Sequence, residues 1–135
     1  MKWYFYIIRK NNLSYAGVTP YPDERILKHN GIKSGGAKYT TSKGTGWEYV
    51  CLIYGFEKID ALRFEWAVKH CKPKSQKGIT NRIKKLYTVL LREKWTSKSP
   101  EADTIPLVIT WYQDLYKKEI NLPYYIFQEF NKNIT

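Results

Sequence analysis

Cysteine and histidine are scarce. The 135 residues contain two of each: Cys51 and Cys71, His29 and His70. No CxxC pair occurs, so a treble-clef, RING or C2H2 zinc site cannot be assembled at the usual spacings. Two thiols leave room for one disulfide or none, and free thiols fit a reducing compartment. Long apolar runs are also lacking. The N-terminal run Trp3–Ile8 is interrupted by Arg9-Lys10 and has no small-residue cleavage site, unlike a secretion signal. No stretch approaches the roughly 20 apolar residues that span a bilayer. The expectation is an intracellular protein, nuclear or cytoplasmic, and not secreted. Acid is the third scarcity, with 12 Asp and Glu against 23 Lys and Arg and a formal net charge of +11.

The length suits one domain, and a hydrophobic content of 43% is too high for a disordered basic tail. The excess charge is local. Residues 25–94 carry sixteen basic and five acidic side chains, a surplus equal to the whole net charge, while both flanks are close to balanced. Interleaved with aromatics, this concentration reads as a footprint for a polyanion rather than a solvated charge run. Lipid is the weaker partner, because no basic amphipathic helix with an exposed apolar face stands out.

Residues 3–9 (WYFYIIR) read as a strand and 13–18 (LSYAGV) as its hairpin partner, with Asn11-Asn12 suited to a tight turn. A two-residue turn sets Lys10 opposite Leu13, hence Tyr6 opposite Gly17 and Ile8 opposite Tyr15. Tyr6 and Tyr15 then share a face beside the gap left by Gly17. Pro22-Asp23-Glu24 opens a helix that stops at Asn30-Gly31, with Arg25 and His29 four apart on one side. Residues 31–46 form a Gly/Ser/Thr/Lys loop, and Trp47–Tyr54 a third strand ended by Gly55. Helices follow over about residues 59–71 and 80–95. In the latter, Ile79, Ile83, Leu86 and Leu90 make a core stripe opposed by Lys84, Lys85 and Arg92. Residues 96–106 are a polar loop, and the aromatic-rich tail beyond them is apolar enough to pack back on the domain.

Glu65 is the anomaly. At about 100° per residue it falls near the middle of an apolar arc made by Ala61, Leu62, Phe64, Trp66 and Val68. A carboxylate there needs a cation. Either a structural Arg supplies it in a buried salt bridge, or Glu65 ligates a hard divalent ion; the residues alone leave both open. The Gly-rich loop contains no GxxxxGK[ST], so it is not a nucleotide P-loop. It reads equally as a basic loop touching a nucleic-acid backbone and as a plain surface loop. His29 can be a helix cap and Arg25 a surface charge.

Taken together, these residues resemble the GIY-YIG nucleases. Tyr4-Phe5-Tyr6, followed after a turn by Tyr15-Ala16-Gly17, is similar to the paired signature, with Tyr and Phe where the family name has Gly and Ile. Arg25, His29-Asn30 and Phe64-Glu65-Trp66 continue the pattern. Gly35-Gly36-Ala37, Thr40, Trp47-Glu48, Gly55-Phe56 and Ala61–Trp66 most resemble the catalytic subunit of the eukaryotic Slx-type structure-specific endonuclease. The resemblance implies a single small α/β domain, a three-stranded, largely antiparallel sheet flanked by helices. Residues 1–95 would form the nuclease domain, and residues 96–135 an extension packed on it. It implies Mg²⁺- or Mn²⁺-dependent hydrolysis of phosphodiesters at flaps, forks or four-way junctions, in repair or recombination. The competing readings are a non-catalytic nucleic-acid-binding module on the same scaffold and a homing-type endonuclease. Tyr6 would be the general base, assisted by Tyr15, with its pKa lowered from about 10 by nearby cations and a metal-bound water. Arg25 would neutralise phosphoryl charge, His29 would orient or deprotonate Tyr6, and Glu65 would hold the metal. Charge and position alone add Lys28, Lys33, Lys38 and Lys43 as DNA-backbone contacts. The implied partner is branched DNA, not a membrane, and a homodimer is compatible with it. That subunit carries a zinc-binding RING-like domain for its partner scaffold, which these residues cannot build, so partnership with that scaffold is doubtful.

Overall fold

Asn11, at a positive φ of 54°, lets the chain reverse within two residues. In the computed structural model, which describes residues 1–118 and 121–131, the turn joins β1 (Trp3–Lys10) to β2 (Leu13–Thr19). Their register pairs Tyr6 with Gly17 and Ile8 with Tyr15, as the two-residue turn demands. Pro22 starts α1 (Pro22–His29), with Asp23 and Glu24 at its positive end and Lys28 and His29 at its negative one. Within the expected loop a short helix, α2 (Lys38–Ser42), forms. β3 (Glu48–Phe56) runs through Gly55 instead of ending there. Gly55 has φ +131°, and its missing side chain admits the Pro106 carbonyl. α3 (Lys58–Lys69) and α4 (Ile79–Leu90) follow.

The sheet has five strands, not three. β4 (Leu107–Trp111) pairs antiparallel with β3, and β5 (Ile126–Phe130) pairs parallel with β4, giving the mixed order β2-β1-β3-β4-β5. The reason lies in β4, whose Leu107, Ile109 and Trp111 alternate into the core. Lengthening the sheet buries this period-two pattern and satisfies its backbone at the same time. The expected C-terminal extension therefore supplies strands to the sheet; its residues 119–120 and 132–135 lie outside the described residues. No helix of the described residues is long and apolar enough to cross a membrane.

The sheet's two faces differ. One carries Phe5, Ile7, Ala16 and Ile53 under α3 and α4, where Phe64 meets Phe5 (ring centroids 4.9 Å) and Trp95 (5.1 Å) edge-on. The predicted α4 stripe of Ile79, Ile83, Leu86 and Leu90 is wholly buried there. Cys51 and Cys71 are both buried and free. The other face gathers Tyr6, Ile8, Trp47 and Leu52, with Tyr15 and Ile26 packed against them.

Candidate active site

Tyr6 lies across Gly17. A Cβ at that position would collide with the Tyr6 hydroxyl and ring, so the glycine makes room for the side chain to extend over β2. There the hydroxyl meets His29 Nε2 at 2.6 Å, and Arg25 Nε–H donates to the same oxygen at 3.3 Å. Tyr15 packs its ring 5.1 Å from that of His29. The shared-face expectation for Tyr6 and Tyr15 thus holds, and Arg25 and His29 join them because one helical turn separates the two on α1.

His29 is fully buried and fixed from both sides. The Thr40 hydroxyl donates to the Ala37 carbonyl at 3.1 Å, which leaves its oxygen to accept from His29 Nδ1 at 2.7 Å. The proton therefore resides on Nδ1 and Nε2 is bare, so Tyr6 donates and His29 accepts. Burial, with Arg25 as a smaller cause, lowers the His29 pKa to about 4. The imidazole is neutral, and its Nε2 accepts the hydrogen bond from Tyr6.

The protein's own groups, taken together, shift Tyr6 upward. Burial pushes its pKa up to about 12; Arg25 pulls it down, while Tyr15 and Glu65 push it up. Arg25 acts in the expected direction, but desolvation outweighs it, and the free protein holds Tyr6 protonated.

Glu65 approaches from α3, across the β2 edge. It is not in the middle of a buried arc: Ala61, Phe64, Ala67 and Val68 form the core stripe, while Leu62 and Trp66 are exposed. Glu65 sits at the stripe's margin with its side chain 20% exposed, and its partner is Lys69 at 3.1 Å rather than a structural Arg. Lys69 in turn lies over the Tyr15 ring, 5.0 Å from its centroid.

The four lysines chosen for DNA contact are distributed over α1, α2 and the loops around them. Lys38 is exposed, and Lys43 stands 5.5 Å over the Tyr39 ring. Lys33 is paired with Glu24 at 3.6 Å, and Lys28 is half-buried beneath Gly35. Sequence reasoning gave no role to three residues that hold the site together. Thr40 fixes His29. Asn30 clamps the end of α1 to β3, its side chain bonding both the Trp47 amide (2.8 Å) and the Trp47 carbonyl (3.0 Å). Trp47 Nε1–H donates to the Thr40 carbonyl at 3.0 Å. Gly36 was the available signal: a side chain there would strike the Lys28 carbonyl, so the loop must lie against α1.

The site thus joins a tyrosine and a histidine in a buried hydrogen-bonded pair, with an arginine on the tyrosine oxygen and a carboxylate nearby. The sequence profile of the GIY-YIG catalytic domain matches residues 2–79, and the chain belongs to this family. It is 32% identical over 120 residues to the structure-specific endonuclease subunit slx1 of Xenopus laevis, covering 80% of this chain and 40% of that protein. It is 31% identical over 126 residues to the SLX1 homolog of Drosophila mojavensis, covering 86% and 41%. A 57-residue stretch is 49% identical to the slx1 subunit of Aspergillus terreus, covering 42% of this chain and 15% of that protein. The chain thus spans about two fifths or less of the length of these relatives.

Proposed function

We propose that this chain is a divalent-metal-dependent endonuclease that hydrolyses phosphodiesters in branched DNA, at flaps, forks or four-way junctions, in repair or recombination. The observation that carries the reading is the directed hydrogen-bond chain from Ala37 through Thr40 and His29 to Tyr6. It gives a tyrosine hydroxyl a buried, neutral base to which its proton can pass. The names of the relatives, all structure-specific endonuclease subunits, support the branched substrate and a partner protein.

In this reading Tyr6 is a relay. As the attacking water gives a proton to the Tyr6 oxygen, the tyrosine's own proton moves to His29 Nε2, so no free phenolate is required. The imidazolium that results is stabilised by the Thr40 oxygen on Nδ1 and by the phosphate's negative charge. Arg25 has its Nε on Tyr6 and Nη1 on the Gly35 carbonyl (3.0 Å), which fixes the guanidinium plane. Its Nη2 has no hydrogen-bond partner among the described residues and is available to the phosphoryl oxygens. Tyr15 walls the imidazole and completes the pocket.

No cluster of three His, Cys, Asp or Glu side chains that could hold a metal occurs among the described residues. Glu65 nevertheless suits Mg²⁺ or Mn²⁺, which need only one or two carboxylates when water and substrate phosphate complete the shell. When bound, the ion supplies positive charge for the leaving oxygen. Lys28, Lys38 and Lys43 are proposed to hold the DNA backbone, Lys33 less so because Glu24 already neutralises it. We place the nuclease unit in residues 1–95.

The test is incubation with labelled flap, fork, four-way junction and plain duplex DNA, with Mg²⁺ and with chelator. The expected result is cleavage of branched DNA that chelator abolishes. Tyr6→Phe should fold normally and cut about a hundredfold more slowly or worse. Undiminished cutting by that variant would remove Tyr6 from the relay.

A further inference from the structure

A groove of about 610 Å³ runs along the outer edge of β2, between the hairpin and the segment that links α3 to α4. Five cations line it: Lys69, Lys74, Lys77, Arg82 and Lys85, with no Asp or Glu among the lining residues. Among the described residues, Lys69 alone of these is in an ion pair, with Glu65. Arg82 is half-buried, and among the described residues its side chain hydrogen-bonds a neutral partner, the Ser14 hydroxyl at 3.3 Å. A partly desolvated guanidinium without a carboxylate is costly, so its surroundings are built for an anion that arrives from outside. α4 points the same way. It begins beside the groove at Gly78, without a side-chain cap and with no acid in its first turn.

The groove ends at Tyr15 and Tyr39, whose rings are nearly parallel at 6.3 Å and 16°. Tyr39 is 42% exposed. Tyr15 also belongs to the Tyr6–His29 site, so groove and site are continuous. Cations along a trough with an exposed aromatic ring at its head make the combination that holds unpaired nucleic acid, phosphates on the cations and bases on the ring. A duplex keeps its bases stacked inside and offers Tyr39 nothing.

We propose that this groove binds the unpaired single strand of a branched DNA, with its phosphates on Lys74, Lys77, Arg82 and Lys85 and the base nearest the branch against Tyr39. The proposal rests on the nuclease reading for its substrate and adds how a branch is told from plain duplex.

The test measures binding in chelator, so that no turnover occurs. A flap DNA with an unpaired arm of about ten nucleotides, within the range that single-strand-binding OB folds cover, is compared with the same nicked duplex without an arm. Lys74 and Lys77 are exposed and in no ion pair among the described residues, so Lys74→Gln/Lys77→Gln should keep the parent's melting temperature. The parent should prefer the flap; the double variant should lose that preference and bind the armless DNA as before. Its log–log salt slope on the flap should fall by about 1.4, two phosphates at about 0.7 each. Tyr39→Ala should weaken flap binding fivefold or more and leave armless binding alone. Equal loss on both DNAs, no loss on either, or a parent without preference for the arm overturns the proposal. Failure of the nuclease reading is visible separately, as a parent that binds the arm but cuts nothing with Mg²⁺.

Discussion

Phe5 and Tyr6 are neighbours in β1 and both are buried, but they serve opposite faces of the sheet. Phe5 lies in the main apolar core, with the Phe64 ring of α3 edge-on at 4.9 Å. Around Tyr6 the partners are Arg25, His29 and, beyond it, Thr40, in a hydrogen-bonded sequence with a direction. Burial on the first face lowers the free energy of the fold. On the second it shifts pKa values, raising Tyr6 and lowering His29, so that both stay uncharged and one hydrogen bond runs from the hydroxyl to the imidazole. One strand thus sends Phe5 and Ile7 into an apolar core on one face and Tyr6 into a polar, hydrogen-bonded site on the other.

The largest expected effect separates the faces by what is lost. Phe64→Ala empties the aromatic cluster beneath Phe5 and should cost about 3–5 kcal/mol of unfolding free energy. That is a large share of the roughly 5–15 kcal/mol available to a domain. The molecules that remain folded should still cut. Gly17→Ala should do the opposite. The added methyl displaces Tyr6, at about 1–3 kcal/mol in overpacking, while cleavage per folded molecule falls about a hundredfold or more. Urea unfolding beside single-turnover cleavage checks both, and a Gly17→Ala protein that cuts normally breaks the distinction.

Glu65 lies between the two faces, so its substitution sharpens the boundary. Its pair with Lys69 is four residues apart on a helix and partly exposed, worth about 0.3–0.5 kcal/mol. Glu65→Gln should therefore melt within about a degree or two of the parent. DNA binding should persist and metal-dependent cleavage should collapse. A variant that melts far earlier yet cuts when folded returns Glu65 to a structural role.

The sequence made these faces legible to different depths. The hairpin register could be read because a two-residue turn and strand alternation leave one solution, and it placed Tyr6, Gly17 and Tyr15 correctly. Arg25 and His29 followed from helical spacing. Glu65 was misplaced because Leu62 and Trp66 were counted as core by type, whereas both face solvent. Apolar character does not identify a buried position. Thr40 was hidden in a segment whose composition reads as loop, and that segment lies against α1 through Gly36 meeting the Lys28 carbonyl, a contact eight residues apart with no helical or strand periodicity. The fourth and fifth strands were missed for a similar reason. An apolar segment such as Leu107–Trp111 can cover a sheet or extend it, and pairing with β3 decides between them.

The smallest effect concerns pH, and it isolates the polar face. His29 has its pKa lowered from 6.5 to about 4 in the folded protein. Between those values the unfolded chain binds more protons at this position than the folded one, so stability rises with pH and is lost as pH falls from about 6.5 toward 4. The slope from this single group is at most about 1.4 kcal/mol per pH unit. Carboxylates also titrate near the lower limit, so the quantity to measure is the difference in pH slope between the parent and His29→Gln, from urea unfolding at pH 4.5 to 6.5. Phe64→Ala should lower stability by the same amount at every pH in that range, since the rings it packs against, Phe5, Phe56 and Trp95, do not titrate. Parallel pH curves for the parent and His29→Gln would mean that His29 is as readily protonated folded as unfolded, and the bare Nε2 that receives the Tyr6 proton would have to be abandoned.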